Sequence, residues 1–419
     1  MISVHTLKLS VDAQQLRGLP WIFSNQVHHL EDPALSPERT ALVHIPLLDG
    51  FGIYTKTDLI AVRLLPRFLT EVLKNKSAVE EAVFAQALAQ HISLLRTAKT
   101  RIFPFARNQC FRVAHGDADS LPGIVIDDYG TFSTIQSSCA AGDFLLPSVV
   151  SALAQMNEQP LLERSSGQAR AMAGLPERTR WIRGKIDKAN VSFAGLKLQF
   201  DPLRAQKTGL FLDQRKNLEF LSEFLSHENV KASSFLDICS YAGAWSSAGA
   251  TAGLSSFTLI DADAQALAMA RENIIQNSPD AQALGKVPTI ETRHGDLFEE
   301  LSKLKSQSRT WDVVVADPPA FAKSKKHLPE ATKAYARLIK LAARATAPNG
   351  VLILCSCSKN MEAHLFWELC LKNLGSEWIL LRRGEQSPDH TIGTTQASSE
   401  YLKCYFFQKR SLEHKENAQ

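Results

Sequence analysis

The sequence predicts an α/β protein. Its C-terminal half reads as a mostly parallel, seven-stranded sheet covered by helices, and a β-rich segment and a small α+β segment precede it. Three observations carry that expectation. From residue 213 onward, short apolar runs alternate with amphipathic helical stretches, the pattern of strands buried on both faces. Residues 1 to about 72 hold short strand-like runs broken by turns, as in small β-rich domains. The 419 residues also exceed the roughly 250–300 at which a single core stops growing, so two or three domains are expected.

The N-terminal strands are SVHTLKL, TALVHIPL, GFGIYT and LIAVRLL, with Arg17-Gly-Leu-Pro-Trp-Ile-Phe-Ser24 among them. Trp21 and Phe23 are expected to be buried there. Residues 75–98 are helical by period and propensity. Strands and turns follow to about 200, with a hairpin turn at Asp128-Tyr-Gly130 and helices near 145–155 and 159–171. Domain boundaries are placed at 1–74, 75–195 and 196–411, with a polar, disordered tail at 412–419. In the last domain, strands are predicted at 233–238, 256–261, 289–293, 311–316, 351–356, 377–382 and 402–408. Helices are predicted at 214–226, 243–252, 264–276, 330–347 and 361–373. The final strand pair can supply an antiparallel edge.

Composition excludes several classes. Hydrophobic residues make up 45% and charged residues 21%, as in ordinary folded domains. No run approaches the roughly 20 apolar residues that cross a membrane, and the N-terminal stretch lacks a signal-peptide core. The seven cysteines include no CxxC pair, so neither a disulfide framework nor a metal cage is expected, and a reducing cytoplasm fits. A net charge of +4 is compatible with nucleic acid without indicating it, because the location of the charge decides. Between Arg178 and Lys188, five basic residues (Arg178, Arg180, Arg183, Lys185, Lys188) surround Trp181. They suit phosphate contacts and base stacking, or a charged hairpin edge that blocks sheet association.

Ligands of open α/β sheets bind beyond the carboxyl ends of the strands. The first such end is Leu236-Asp-Ile-Cys-Ser-Tyr-Ala-Gly243, where Gly243 turns into a helix whose N-terminus can face a polar ligand. The second is Ile260-Asp261-Ala-Asp263. Asp263 suits a helix N-cap, which leaves Asp261 for a ribose diol. Asp296 ends the third, as a ligand contact or simply a cap. The fourth is Ala316-Asp317-Pro-Pro319-Ala-Phe321, whose prolines stiffen the backbone under Asp317. Lys323, Lys325 and Lys326 follow as phosphate contacts or solvated charges. The fifth is Cys355-Ser-Cys357. Two cysteines closing an apolar strand are core residues or nucleophiles, and periodicity does not choose between them.

Asp317-Pro-Pro-Ala-Phe321, Ser356-Cys357-Ser358 and the long block Lys207-Thr-Gly-Leu-Phe-Leu-Asp-Gln-Arg215 together resemble the bacterial large-subunit (23S) ribosomal RNA cytosine-C5 methyltransferases of the RlmI type. The resemblance covers almost the whole chain. Arg17–Ser24 resembles the start of that family's RNA-binding PUA domain. Phe111–Asp119, Leu121-Pro-Gly123 and Asp127 resemble its central EEHD domain. The resemblance implies a Rossmann-like class I methyltransferase fold, S-adenosylmethionine as cofactor, large-subunit ribosomal RNA as partner and a homodimer. It implies cofactor contacts by Asp237, Cys239, Tyr241 and Gly243, by Asp261 at the ribose with Asp263 beside it, and by Asp296 with Leu297 at the adenine. Phe211, Asp213 and Arg215 close the approach, with Gln214 nearby. Asp317, also beside the cofactor, and Pro318 hold the target cytosine, and Cys357 is the nucleophile. Phe321, Lys323, Trp21, Arg178, Arg180 and Arg183 are the RNA contacts. His390 matches a C-terminal element with no implied role.

In the implied mechanism a thiolate adds to cytosine C6, C5 gains enamine character and attacks the cofactor methyl, a base removes the C5 proton, and the thiolate leaves. The chain departs from the family pattern at Lys359, where glycine is more common, and at Cys355, where an apolar aromatic is expected. The Pro-Cys of two-cysteine cytosine methyltransferases is absent. Rival readings are a guanine methyltransferase of ribosomal RNA, an RNA-binding protein with a vestigial methyltransferase fold, and a small-molecule methyltransferase.

Overall fold

A computed structural model describes residues 1–16, 18–28, 40–104, 109–322, 324–393 and 399–411. Arg17, Lys323 and the tail 412–419 lie outside the described residues. The chain forms two compact units. One comprises Met1–Ala189, Asp201–Leu210 and Pro388–Ser399; the other comprises Asn190–Phe200, Phe211–Ser387 and Glu400–Gln419. No helix among the described residues is long and apolar enough to cross a membrane.

The first unit contains a six-stranded sheet in the order Trp21–Ile22, Val62–Leu64, Gly50–Thr55, Thr40–Ile45, Ile2–Thr6, Ala78–Val79. A five-stranded sheet runs Arg178–Arg183, Leu161–Ser165, Ser133–Ser137, Ile124–Asp128, Phe111–His115. The helices Glu81–Ile102 and Ala140–Met156 pack on each other. One cluster of buried side chains runs from Leu42 and Phe51 through Phe84 and Leu88 to Ile124 and Leu145.

Three local expectations need correction. The helix expected from residue 75 begins at Glu81, because Ala78–Val79 pairs with Ile2 and Ser3 at the sheet edge. The helix expected over 159–171 is instead a strand, Leu161–Ser165, buried at every position and parallel to Ser133–Ser137, followed by a short helix, Gln168–Met172. Tertiary pairing overrides the helical propensity there. Trp21 and Phe23 are only partly buried; Ile22 between them is the core residue. Strand alternation sends Trp21 to the other face, where the Arg63 guanidinium lies 5.9 Å from its ring centroid.

Two polar networks organise this unit. The Arg164 guanidinium donates to the carbonyls of Pro202, Leu203, Ala205 and Lys207, which fixes the loop 201–210. Replacing Arg164 with alanine should destabilise the fold by about 2–4 kcal/mol, since several buried carbonyls lose a charged donor. Urea unfolding measures it; a loss below about 1 kcal/mol would show that water replaces the guanidinium. The second network is centred on Lys99, whose Nζ donates to Asp119 Oδ2 at 2.7 Å and to the Asp389 carbonyl at 2.9 Å. Asp389 also accepts from the Arg112 backbone N–H at 2.8 Å and pairs with His390 at 3.1 Å. His390, which had no implied role, is thus a buried member of this cluster.

The second unit is built on the seven-stranded sheet. Its strands are β1 (Ser234–Ile238), β2 (Ser256–Asp261), β3 (Thr289–His294), β4 (Trp311–Ala316), β5 (Thr346–Ser356), β6 (Trp378–Gly384) and β7 (Lys403–Lys409). Their order is β3-β2-β1-β4-β5-β7-β6. Strands β1 to β5 are parallel, and β7 runs antiparallel to both its neighbours. The order reverses between β1 and β4, which opens a crevice at their carboxyl ends. The outer strand β3 exposes Thr289, Thr292 and His294 and pairs its charges, Arg293 with Glu291 and Glu300, as suits an edge.

The covering helices are α1 (Arg215–Leu225), α2 (Ala244–Thr251), α3 (Ala264–Asn277), α4 (Leu297–Ser306), α5 (Leu328–Ala345) and α6 (Ala363–Asn373). Helix α5 buries Ala331, Tyr335, Leu338, Ile339, Ala342 and Ala345, the single stripe of a one-face helix. Helix α4 was not anticipated. Asp296 at its N-cap is its start signal. On α3, Asn273 and Asn277 bond through their amides to the backbone of Gln199 and Lys197 in the hairpin Ala189–Phe193/Leu196–Phe200. They replace a neighbouring strand, one turn of helix matching two residues of strand.

Candidate active site

The loop after β1 is shaped by backbone conformations that side chains resist. Cys239 (φ 64°), Tyr241 (φ 45°) and Gly243 (φ 72°) are left-handed. Each non-glycine instance costs on the order of 1 kcal/mol, and such residues gather at functional sites. The curl is tied to β2: the Cys239 and Ser240 N–H groups donate to the Ile260 carbonyl, and the Tyr241 N–H donates to Asp261 Oδ2 at 2.8 Å. Gly243 is required twice over, because an added Cβ would sit 2.7 Å from the Ala270 Cβ.

Asp237 is fully buried at the end of β1. Its Oδ2 accepts from the Ser246 hydroxyl at 2.6 Å and backbone N–H at 3.2 Å. Its Oδ1 has no hydrogen-bond partner among the described residues. Burial above all, then the negative charges of Asp317 and Asp261, pushes this carboxyl up to about 7. A buried carboxylate oxygen without a donor fits a cationic group such as an ammonium.

The other acidic positions fall around the same crevice. Asp261 accepts from Tyr241 and, through Oδ1, from the Asp263 N–H at 2.9 Å. Asp263 is an exposed N-cap of α3, accepting from Gln265 and Ala266. Asp296 caps α4 through Oδ1, beside the half-buried Leu297. Phe211 meets the Tyr241 ring edge-on, with centroids 5.4 Å apart. Asp213 and Arg215, expected at the approach, are buried. Asp213 accepts from the Tyr401 hydroxyl at 2.6 Å, and Arg215, fully buried, lies over the Phe193 ring.

Asp317 is held by Gln214, which the Lys207–Arg215 motif had put near the approach, and by Trp245, which the sequence did not single out. Its Oδ2 accepts from Gln214 Nε2 at 2.9 Å and from Trp245 Nε1 at 3.1 Å. Gln214 is oriented in turn by Asn217, which donates to its Oε1 at 2.7 Å. Sequence gave no signal for Trp245 or Asn217, since both look like ordinary helix residues. Replacing Gln214 with leucine should lower kcat about tenfold and leave cofactor affinity within about twofold, because only the aim of Asp317 is lost. Single-turnover rates and calorimetric titration of the variant check this, and an unchanged rate refutes it.

The two cysteines separate clearly. Strand β5 ends at Ser356, so Cys355 and Cys357 do not share one strand face. Cys355 is 1% exposed with its sulfur 3.4 Å from that of Cys404. Burial and that neighbour hold its thiol far above the ordinary range, which makes it an inert core residue. Cys357 is partly exposed, and its Sγ lies 4.0 Å from the Pro318 carbonyl oxygen. It therefore sits at the Asp317-Pro-Pro segment. Phe321, half-buried, packs on Tyr335 at 4.7 Å and Phe298 at 6.2 Å.

The N-terminal basic cluster is largely occupied by carboxylates. Arg178 pairs with Asp143 and Glu163, and Arg180 with Glu163. Arg183 donates to the Gln159 carbonyl. Desolvation opposes ionisation of Asp143 and Glu163, but their arginine partners outweigh it and hold both carboxyls below the usual range. Lys325 and Lys326 are exposed. Lys323 lies outside the described residues.

The family model of S-adenosylmethionine-dependent methyltransferases matches residues 153–399. The chain belongs to this family. Its cofactor is S-adenosylmethionine, and the Asp237–Gly243 loop fits that group's ammonium end. Similarity to curated relatives covers almost the whole chain. Ribosomal RNA large subunit methyltransferase I of Aeromonas salmonicida is 30% identical over 93% of this chain and 94% of that protein. The protein of the same name from Shewanella amazonensis is 28% identical over 92% and 94%. These matches bear out the family resemblance drawn from Lys207–Arg215 and Asp317–Phe321. Among solved structures, a protein described as a SAM-dependent methyltransferase from Streptococcus mutans superposes with TM-score 0.72 at 20% identity, over 97% of this chain and all of that one. That likeness establishes the fold.

Proposed function

We propose that this methyltransferase modifies C5 of a cytosine in large-subunit ribosomal RNA, through a covalent bond between Cys357 and C6 of the base. The observation that carries the reading is Cys357 Sγ at the Asp317-Pro-Pro segment, 4.0 Å from the Pro318 carbonyl, with Asp317 fixed by Gln214 and Trp245. The names of the curated relatives, ribosomal RNA large subunit methyltransferase I, support the RNA substrate.

C5 of cytosine is part of an electron-poor ring and a weak nucleophile. Addition of the Cys357 thiolate to C6 makes C5 enamine-like. Asp317 binds the N3/N4 edge of the base and favours the adduct, while Pro318 keeps it stiffly placed. S-adenosylmethionine supplies an electrophilic methyl group. Asp237 receives its ammonium, Asp261 its ribose and Asp296 its adenine. The base reaches the site from an unstacked position, at a cost of a few kcal/mol where it was paired. Residues 1–74 act as a PUA-like RNA-binding domain and 75–195 as an EEHD-like one, with Trp21 as a stacking contact. The 64% exposed Arg180 is better placed for phosphate than Arg178. The enzyme works in the cytoplasm.

Mass spectrometric mapping of modified nucleosides in large-subunit RNA, from cells with and without the gene, tests the reading. The expected result is loss of one 5-methylcytosine. Loss of a methylguanine instead would select the rival guanine chemistry.

A further inference from the structure

Lys403 is a buried lysine that the mechanism above does not use. It opens β7, directly opposite Ser356, the last residue of β5. Because β7 is antiparallel to β5, its beginning lies where β5 ends, beside Cys357. The side chain is 7% exposed. Its Nζ donates to the Ser358 carbonyl at 2.6 Å and the Tyr401 carbonyl at 2.7 Å. Among the described residues no carboxylate lies within 4.0 Å of it to form a salt bridge. An ammonium taken out of water with only neutral acceptors is costly and is retained where an anion appears nearby. Lys403 holds the carbonyl of Ser358, the residue after Cys357, and a negative charge on the Cys357 sulfur favours its protonated form.

We propose that Lys403 is a positioning residue for Cys357, holding positive charge beside the sulfur so that the thiolate persists in the resting enzyme. The inference rests on the reading of Cys357 as nucleophile. A cation beside the sulfur favours the thiolate. Asp317 is a like charge on the facing segment. Tyr335, hydrogen-bonded to Ser356 at 2.9 Å, is a neutral phenol on the packed helix α5. Lys359, next along the chain, is exposed, so water screens its charge. Glu400, also exposed, lies on the Lys403 side. Burial pulls Lys403 down to about 8, while Cys357 and Glu400 push it up, so its neutral and charged forms are both accessible near neutrality. The resting exchange is then balanced. The S–H bond of Cys357 breaks with both electrons left on sulfur, and the proton forms the third N–H bond of Lys403.

The test is the pH dependence of Cys357 alkylation by iodoacetamide in the full-length enzyme, followed by peptide mass spectrometry. Wild type is compared with Lys403→Gln, which keeps a donor for the two carbonyls, and with Lys403→Met. The expected wild-type thiol pKa is below the roughly 8.5 of a free cysteine, and Lys403→Gln should slow alkylation at pH 7 roughly tenfold. Lys403→Met should do the same, with cofactor binding intact in both. A wild-type value at or above about 8.5 overturns the inference whether or not a variant folds. So does an unchanged profile in Lys403→Gln. If Cys357→Ala retains methyl transfer, the nucleophile reading fails instead, and the alkylation profile still reports separately on whether Lys403 tunes the thiol.

Discussion

Replacing Cys357 with alanine should abolish methyl transfer to cytosine, by at least roughly a thousandfold, because the sulfur proposed to make the C6 bond is gone. Cofactor affinity should stay within about twofold, since the sulfur is assigned to the base and not to the cofactor. Cys355→Ala is the matched control. It removes a sulfur 3.4 Å from Cys404 in the core and should cost about 1 kcal/mol of stability while leaving transfer in place. The measurement is tritiated methyl incorporation into RNA, paired with calorimetric titration of S-adenosylmethionine. Transfer retained in Cys357→Ala would sink the covalent mechanism. The loss of transfer in Cys355→Ala, in a folded protein, would reassign the nucleophile against its burial.

Asp237→Asn should have opposite effects on stability and binding. The folded-state carboxyl is raised to about 7 from 3.8, so between those values the native state holds a proton that the unfolded state has lost. The stability that this group contributes is therefore complete below pH 4 and is lost as pH rises through 7. Above that, the native protein carries a buried carboxylate whose Oδ1 has no donor among the described residues. The asparagine removes that charge. Thermal unfolding without cofactor should show the variant more stable than wild type by roughly 2–4 kcal/mol at pH 8, with no advantage at pH 4. Cofactor affinity should fall roughly a hundredfold at pH 8, because the charge-assisted contact to the ammonium is gone. A variant that is less stable at pH 8, or that binds the cofactor as wild type does, contradicts this account of Asp237.

The catalytic unit was legible because its elements obey local rules. Strands β2 and β4 fall at the residues predicted, 256–261 and 311–316, since short apolar runs bounded by helix signals admit one reading. Helix α4 was missed although Asp296 caps it, because a ligand role and a cap role look alike in sequence. The first unit was less legible. Leu161–Ser165 looks helical by composition, and only its place beside Ser133–Ser137 makes it a strand.

By itself the sequence determined the α/β class, the seven-stranded sheet, the acidic strand ends and, through Lys207–Arg215 and Asp317–Phe321, the family. These depend on periodicity and on contiguous motifs, which are properties of neighbours along the chain. The motif resemblance already named Cys357; tertiary structure supplied the physical difference between the two cysteines, because β5 ends at Ser356, before Cys357, while Cys355 is buried against Cys404. Tertiary structure alone drew Gln214, Trp245 and Asn217 around Asp317, and Lys403 to the end of β5. Those residues are separated by up to about two hundred positions, and what joins them is the reversal of strand order and the antiparallel return of β7, which no local pattern encodes.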